Sequence, residues 1–123
     1  MVSPFMYYRL AEVNRMIENG NLYNRAARFL DKEITETLIS QGAVRIERII
    51  STGQCSPNNF WYDQAENEWV CVLQGEGVIE WQNGSRNILK PGDWVFVPPH
   101  EKHRVHSTTS KPPCIWLAFF WQK

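Results

Sequence analysis

Hydrophobic positions change their period once along this chain. From Tyr8 to Glu18, Leu10, Val13, Met16 and Ile17 recur at helical spacing, and Gly20 stops the pattern. Asp31 is an N-cap residue type ahead of a second short helix, in which Ile34 and Leu38 share a face and which Gly42 ends. From Ala43 onward the period is two, or gives way to short continuous apolar runs. The predicted strands are Val44–Ser51, Phe60–Gln64, Glu68–Leu73, Gly77–Gln82, Asn87–Leu89, Trp94–Pro98, His103–Ser107 and Ile115–Trp121. Turn chemistry separates them. Asn83-Gly84 predicts a two-residue hairpin, and Pro91-Gly92-Asp93 marks another turn. Pro98-Pro99 and Pro112-Pro113 fall where a ladder must stop. Many short strands at this spacing read as an all-β sandwich or barrel, with the helical stretch packed on one face or end.

Two strands are apolar on both faces. Val70 and Val72 alternate with Trp69, Cys71 and Leu73; Ile115, Leu117, Phe119 and Trp121 alternate with Trp116, Ala118 and Phe120. A half-exposed antiparallel sheet alternates apolar with polar, so something is expected to cover the outer face. The N-terminal helices are one candidate. A twofold-related second copy, giving a homodimer, is the other.

At 123 residues the chain is the size of one domain. No Pro/Gly/Ser-rich linker divides it. It is read as a helical extension over residues 1–42, packed on the barrel or on a partner subunit, and a β-barrel over 43–123. The formal net charge is zero, which gives no electrostatic reason to expect a nucleic-acid or membrane partner. The N-terminus lacks the apolar region of a signal peptide and no apolar run has spanning length, so a cytoplasmic setting is expected. The three cysteines, Cys55, Cys71 and Cys114, fit no zinc-ribbon spacing and are expected to be reduced thiols, with Cys55 in a loop but in no nucleophile motif. Gly75-Glu76-Gly77 precedes a strand rather than a helix, so it is a turn and not a phosphate loop.

The segment from Tyr62 to Gly75 resembles the first motif of the cupin superfamily: two His one residue apart, a Glu four residues later and a Gly seven beyond it. Glu68 and Gly75 match, whereas Tyr62 and Gln64 stand in the two His positions. The segment Gly92–His103 resembles the second cupin motif. Gly92, Pro98 and His103 match, His100 replaces the second Gly, and Ser107 stands in the Asn position. The run Trp61-Tyr62-Asp63-Gln64 is also similar to a subgroup of small bacterial cupins, for which the resemblance implies no defined activity. The resemblance covers about Ile46 to Phe120 and implies a double-sheet jelly-roll barrel.

Tyr62 and Gln64 are two apart and share a face. With Glu68 and His103 they are expected at the barrel mouth, with His100 near the pocket rim. In cupins with the full motif, three imidazoles and one carboxylate hold a divalent metal. The resemblance therefore makes Glu68 and His103 candidate catalytic residues. It makes Tyr62, Gln64, Glu68 and His103 candidate ligands of a divalent metal (iron, manganese, nickel or zinc), held more weakly than by the full set. Two metal-free alternatives stay open: a Glu68–His103 pair that fixes two strands, and the same pair doing acid–base work. A small-molecule ligand is the expected partner, whether the barrel is an enzyme, a non-catalytic binding module or a structural dimer. His106 is expected on the face opposite His103 unless a bulge turns it. Arg45 and Glu47 share one face of their strand and Arg48 takes the other; the expectations are surface cross-strand pairing for all three, or one of them, not specified, facing the pocket to bind an anionic group.

Overall fold

The structure is a computed structural model that describes residues 17–24 and 31–122. The described residues form eight strands and no helix: β1 (Ile34–Gln41), β2 (Val44–Ser51), β3 (Asn67–Gln74), β4 (Gly77–Trp81), β5 (Arg86–Leu89), β6 (Trp94–Val97), β7 (His103–Thr108) and β8 (Cys114–Trp121). Five make one sheet in the order β1-β2-β8-β3-β6, and three make a second in the order β5-β4-β7. Every pairing is antiparallel. This is the mainly β, double-sheet barrel that the sequence predicts.

The core lies between the sheets. Val70 and Val72 of β3 and Trp116, Ala118 and Phe120 of β8 meet Ile79 of β4 and Leu89 of β5. Period two accounts for the selection: within each strand these are alternate residues, so they share a face. The opposite face of β3 and β8 is apolar too. Trp69 lies 5.9 Å from Trp94 and 5.6 Å from Phe119, and Phe96 lies 6.0 Å from Trp121, between ring centroids. Trp94 is 58% exposed and Phe96 44%, on the surface where the sequence leads one to expect a cover.

Three expectations are corrected. Residues 34–41 are a strand, not the second helix. Ile34, Thr35, Thr37 and Ile39 are β-branched, which disfavours helix and suits a pleated edge. Gly42, at a φ of 58°, then turns the chain so that Gln41 pairs with Val44. The expected strand Phe60–Gln64 reduces to a single bridge between Tyr62 and His103. The hairpin at Asn83-Gly84 has a three-residue loop: Trp81 N–H donates to the Ser85 carbonyl, and Gly84 takes a φ of 93°. The first expected helix, over Tyr8–Glu18, lies outside the described residues except for Ile17 and Glu18, which belong to no regular element.

Gly75 shows what the first motif's glycine does. Its φ is 75°, and a Cβ there would sit 2.5 Å from Thr109 Oγ1, 2.8 Å from the Pro113 carbonyl oxygen and 2.9 Å from the Cys114 Cα. Gly42 has a similar φ of 58° but nothing within 4 Å of such a Cβ. Gly42→Ala should therefore cost about 1 kcal/mol, the backbone penalty alone. Gly75→Ala should cost about 1–3 kcal/mol more, because backbone atoms must also move. Urea titration of the two variants checks this, and equal losses would contradict the packing account.

Candidate functional site

Four predicted residues reach one place by two routes. Glu68 is the second residue of β3 and points inward in phase with Val70 and Val72. His103 opens β7 in the facing sheet. The preceding loop is pinned to β7 by its backbone: Tyr62 N–H donates to the His103 carbonyl at 2.7 Å, and His103 N–H donates back to Tyr62 at 3.2 Å. His100 N–H donates to the Gln64 carbonyl at 2.7 Å. These bonds hold Tyr62 and Gln64 against the end of the barrel. Their side chains, with Glu68 and His103, line a cavity of about 290 Å³ walled by Ile49, Val70, Ile79, Val105, Trp116 and Phe120.

The polar centre is a row of three groups. Gln64 Nε2 donates to Glu68 Oε1 at 2.7 Å. The same oxygen lies 3.6 Å from His103 Nε2, too long for a direct hydrogen bond but close enough for strong charge attraction. A carbonyl can only accept, so the 2.8 Å contact from His103 Nδ1 to the Glu101 carbonyl places a proton on Nδ1 and turns Nε2 to the cavity. The His103 side chain is 7% exposed and that of Glu68 12%. Tyr62 stacks on the imidazole, with centroids 5.5 Å apart and planes at 27°. Burial alone pulls the His103 pKa down. The nearby Glu68 carboxylate and the Glu101 carbonyl outweigh it, and the net shift is upward. The Tyr62 phenol is also raised, first by burial and then by the charges of Glu33 and Glu68.

Other candidates fall elsewhere. Arg45 and Glu47 both line the cavity rather than pairing at the surface. Arg45 Nε donates to Glu47 at 2.6 Å, its Nη1 and Nη2 grip Glu66 at 2.7 and 3.0 Å, and its plane lies 4.3 Å over the Phe120 ring. Arg48 projects from the other face of β2 and makes the expected cross-strand pair, with Glu36, but buried rather than at the surface. It is 6% exposed, binds Glu36, and donates to the carbonyls of Asn21, Leu22 and Asn24, tying residues 21–24 to the barrel. His100 is corrected from a pocket residue to an outer one. Its Nδ1 meets Asp63 Oδ1 at 2.7 Å outside the cavity. Its φ of 65° accounts for the glycine of the second motif at this position. His106 falls at the irregularity where β7 pairs with Val78 and Ile79, away from the cavity lining. Cys55 is exposed, while Cys71 and Cys114 are buried. Burial pushes the Cys114 thiol up to about 12, so it is no nucleophile.

Glu33 and Thr35 also line the cavity, from the stretch read as helix. A relay holds Glu33 in place: Trp116 Nε1 donates to Ser51 Oγ at 3.3 Å, and Ser51 Oγ donates to Glu33 Oε2 at 2.6 Å. The β-branched residues that follow Glu33, namely Ile34, Thr35, Thr37 and Ile39, were the available signal.

The donor set does not fit a resident metal. Among the described residues no three His, Cys, Asp or Glu side chains converge as ligands. A carboxylate cannot donate, so the Gln64 amide turns its N–H to Glu68 and its oxygen away from that carboxylate. The Tyr62 phenol, its pKa raised by burial, offers a neutral O–H, so Glu68 and His103 remain, two donors where a retained divalent ion takes at least three.

Residues 48–120 match the family described as the cupin domain. A protein of Ralstonia eutropha JMP134, provisionally named a mannose-6-phosphate isomerase, is 39% identical, with a TM-score of 0.83 over 87% of this chain and 100% of that one. The iron(II) form of HppE shares the fold at 18% identity and a TM-score of 0.61, over 72% of this chain and 50% of that one. So does the cupin domain of an XRE-family transcriptional regulator of Enterobacter cloacae, at 17% identity and a TM-score of 0.61, over 74% and 97%. Among proteins of curated function, none matches this chain.

The site makes a pH prediction. His103 holds its proton more tightly when folded, so its contribution to stability is complete below the ordinary imidazole pKa. It is lost as pH rises through the raised value. The stability gap between the parent and His103→Gln should narrow as pH goes from about 5 to about 8. Urea unfolding across that range measures it; a gap that widens with pH would contradict the charge pairing.

Proposed function

This chain belongs to the cupin family, and we propose that it binds a small polar molecule at the mouth of its barrel without a resident metal. The carrying observation is the placement of Glu68. Its carboxylate is held by the Gln64 amide on one side and faces His103 Nε2 on the other, at a cavity of about 290 Å³. A buried carboxylate so oriented keeps lone pairs for a ligand donor. Apolar walls supply contact area, and a few convergent polar groups supply orientation, the usual division of labour in a small-molecule site. The chemistry that the pair suits is proton transfer: an imidazole whose pKa is raised by a neighbouring carboxylate can give and take a proton.

The competing reading places iron, manganese, nickel or zinc on Glu68 and His103. One observation favours it. An Nδ1–H anchored on a backbone carbonyl, with Nε2 turned outward, is how metal-binding imidazoles are oriented. Against it stand the two lost imidazoles and the direction of the Gln64 amide.

One set of proteins separates these readings. The parent, purified without chelator, should carry well under one equivalent of metal by plasma mass spectrometry, as should a Glu68→Ala/His103→Ala double variant. The parent should gain thermal stability from members of a library of small polar metabolites. Glu68→Gln should weaken each binder about tenfold, near 1.4 kcal/mol. Stoichiometric metal in the parent that the double variant lacks would overturn the metal-free reading. Binding unaffected by Glu68→Gln would overturn the role of Glu68.

A further inference from the structure

The charges around the cavity are unequal. Among the described lining residues stand three carboxylates, Glu33, Glu47 and Glu68, against one guanidinium, Arg45, and one imidazole, His103. The guanidinium is already spent. Its Nε is bound to Glu47, its two Nη atoms to both oxygens of Glu66, and one face is covered by Phe120. Two carboxylates thus neutralise the one arginine that could greet an anion.

Glu33 and Glu68 differ in kind from those two. The Ser51 hydroxyl holds Glu33, and the Gln64 amide orients Glu68, which also faces His103 Nε2 at 3.6 Å. Hydrogen bonds from neutral donors orient a carboxylate without cancelling its charge. Burial is the first cause of the raised Tyr62 pKa, and the charges of Glu33 and Glu68 add to it. His103 gives the second sign of a ligand. Its side chain is more than nine-tenths buried, and its Nε2 faces the cavity with the Glu68 oxygen 3.6 Å away, beyond hydrogen-bond reach. The Trp116 and Tyr62 rings in the wall add faces of the kind that attract cations.

We propose that this pocket takes a small molecule bearing a cationic nitrogen, an ammonium or amidinium group, and rejects phosphate esters and carboxylates. The cation lies between Glu33 and Glu68, and the apolar part of the molecule rests on Ile79, Val105 and Trp116. This names the ligand class for the binding site proposed above and rests on that reading. It departs from a sugar phosphate, the substrate in the provisional name of the Ralstonia protein. A phosphate dianion here would approach Glu33 and Glu68, while the one guanidinium of the lining, Arg45, is already bound to Glu47 and Glu66.

The test uses two series of probes that differ mainly in charge. One is mannosamine, mannose and mannose 6-phosphate; the other is benzylamine, benzamidine, benzyl alcohol and benzoate. Binding to the full-length protein is read by calorimetry and by shifts of the Trp116 indole signal. The amine or amidine of at least one series should bind about tenfold tighter than its neutral partner, with the anion weakest. Glu33→Gln, at the rim, should remove most of that preference while leaving the fold intact by circular dichroism. Glu68→Gln should do the same. A neutral probe equal to its amine, or mannose 6-phosphate tighter than mannosamine, would overturn the ligand class while leaving the binding site standing. A preference that survives both variants would overturn the placement between Glu33 and Glu68. If no probe binds the folded parent, the binding reading fails, and this inference with it.

Discussion

The site depends on one backbone bridge. Tyr62 and His103 exchange both of their main-chain hydrogen bonds, at 2.7 and 3.2 Å, and so fasten a loop that has no strand of its own to the edge of the smaller sheet. A further bond, from His100 N–H to the Gln64 carbonyl at 2.7 Å, holds the end of the same loop. With both in place, Gln64 reaches Glu68 on the larger sheet, and the imidazole of His103 is stacked beneath Tyr62. The polar row therefore spans the two sheets at the end where they part. The same residue, His103, serves as a backbone partner for the loop and as the side chain at the centre of the site.

Replacing two imidazoles with Tyr62 and Gln64 changes what that row can do. An amide that donates to Glu68 turns its own oxygen away from that carboxylate and so from a metal the two would share. A phenol with a raised pKa stays protonated at neutral pH and offers a hydrogen bond rather than an anionic ligand. What remains is an acid–base pair in a largely apolar cavity. Around that pair stand Glu33, held by the Ser51 hydroxyl, and Glu47, bound to Arg45.

The barrel was legible in the sequence because period-two alternation and turn residues agree from Val44 to Trp121. The motif spacing singles out Glu68, His103, Tyr62 and Gln64, and all four line one cavity. Residues 33–41 were misread for a physical reason. Ile34 and Leu38 are four apart, which suits a helix face, yet residues four apart also share a strand face. The β-branched content of the stretch was the better discriminator, and overlooking it hid Glu33. Arg45 was hidden differently. Alternation gave its face, but only the fold shows that this face looks inward and that Glu66 and Glu47 close upon the guanidinium. His100 failed as a pocket residue because its left-handed backbone conformation sends the side chain to Asp63.

The central claim is that Glu68 and His103 hold a proton between two sheets rather than a metal. Long-range proton–nitrogen NMR of the His103 imidazole tests it most directly. The account predicts Nδ1 protonated throughout, as donor to Glu101, and Nε2 titrating with a pKa above the ordinary imidazole value. Both signals should stay unmoved by one equivalent of zinc or manganese. A metal-dependent shift or broadening of Nε2 that Glu68→Ala abolishes would contradict it and return the site to metal chemistry.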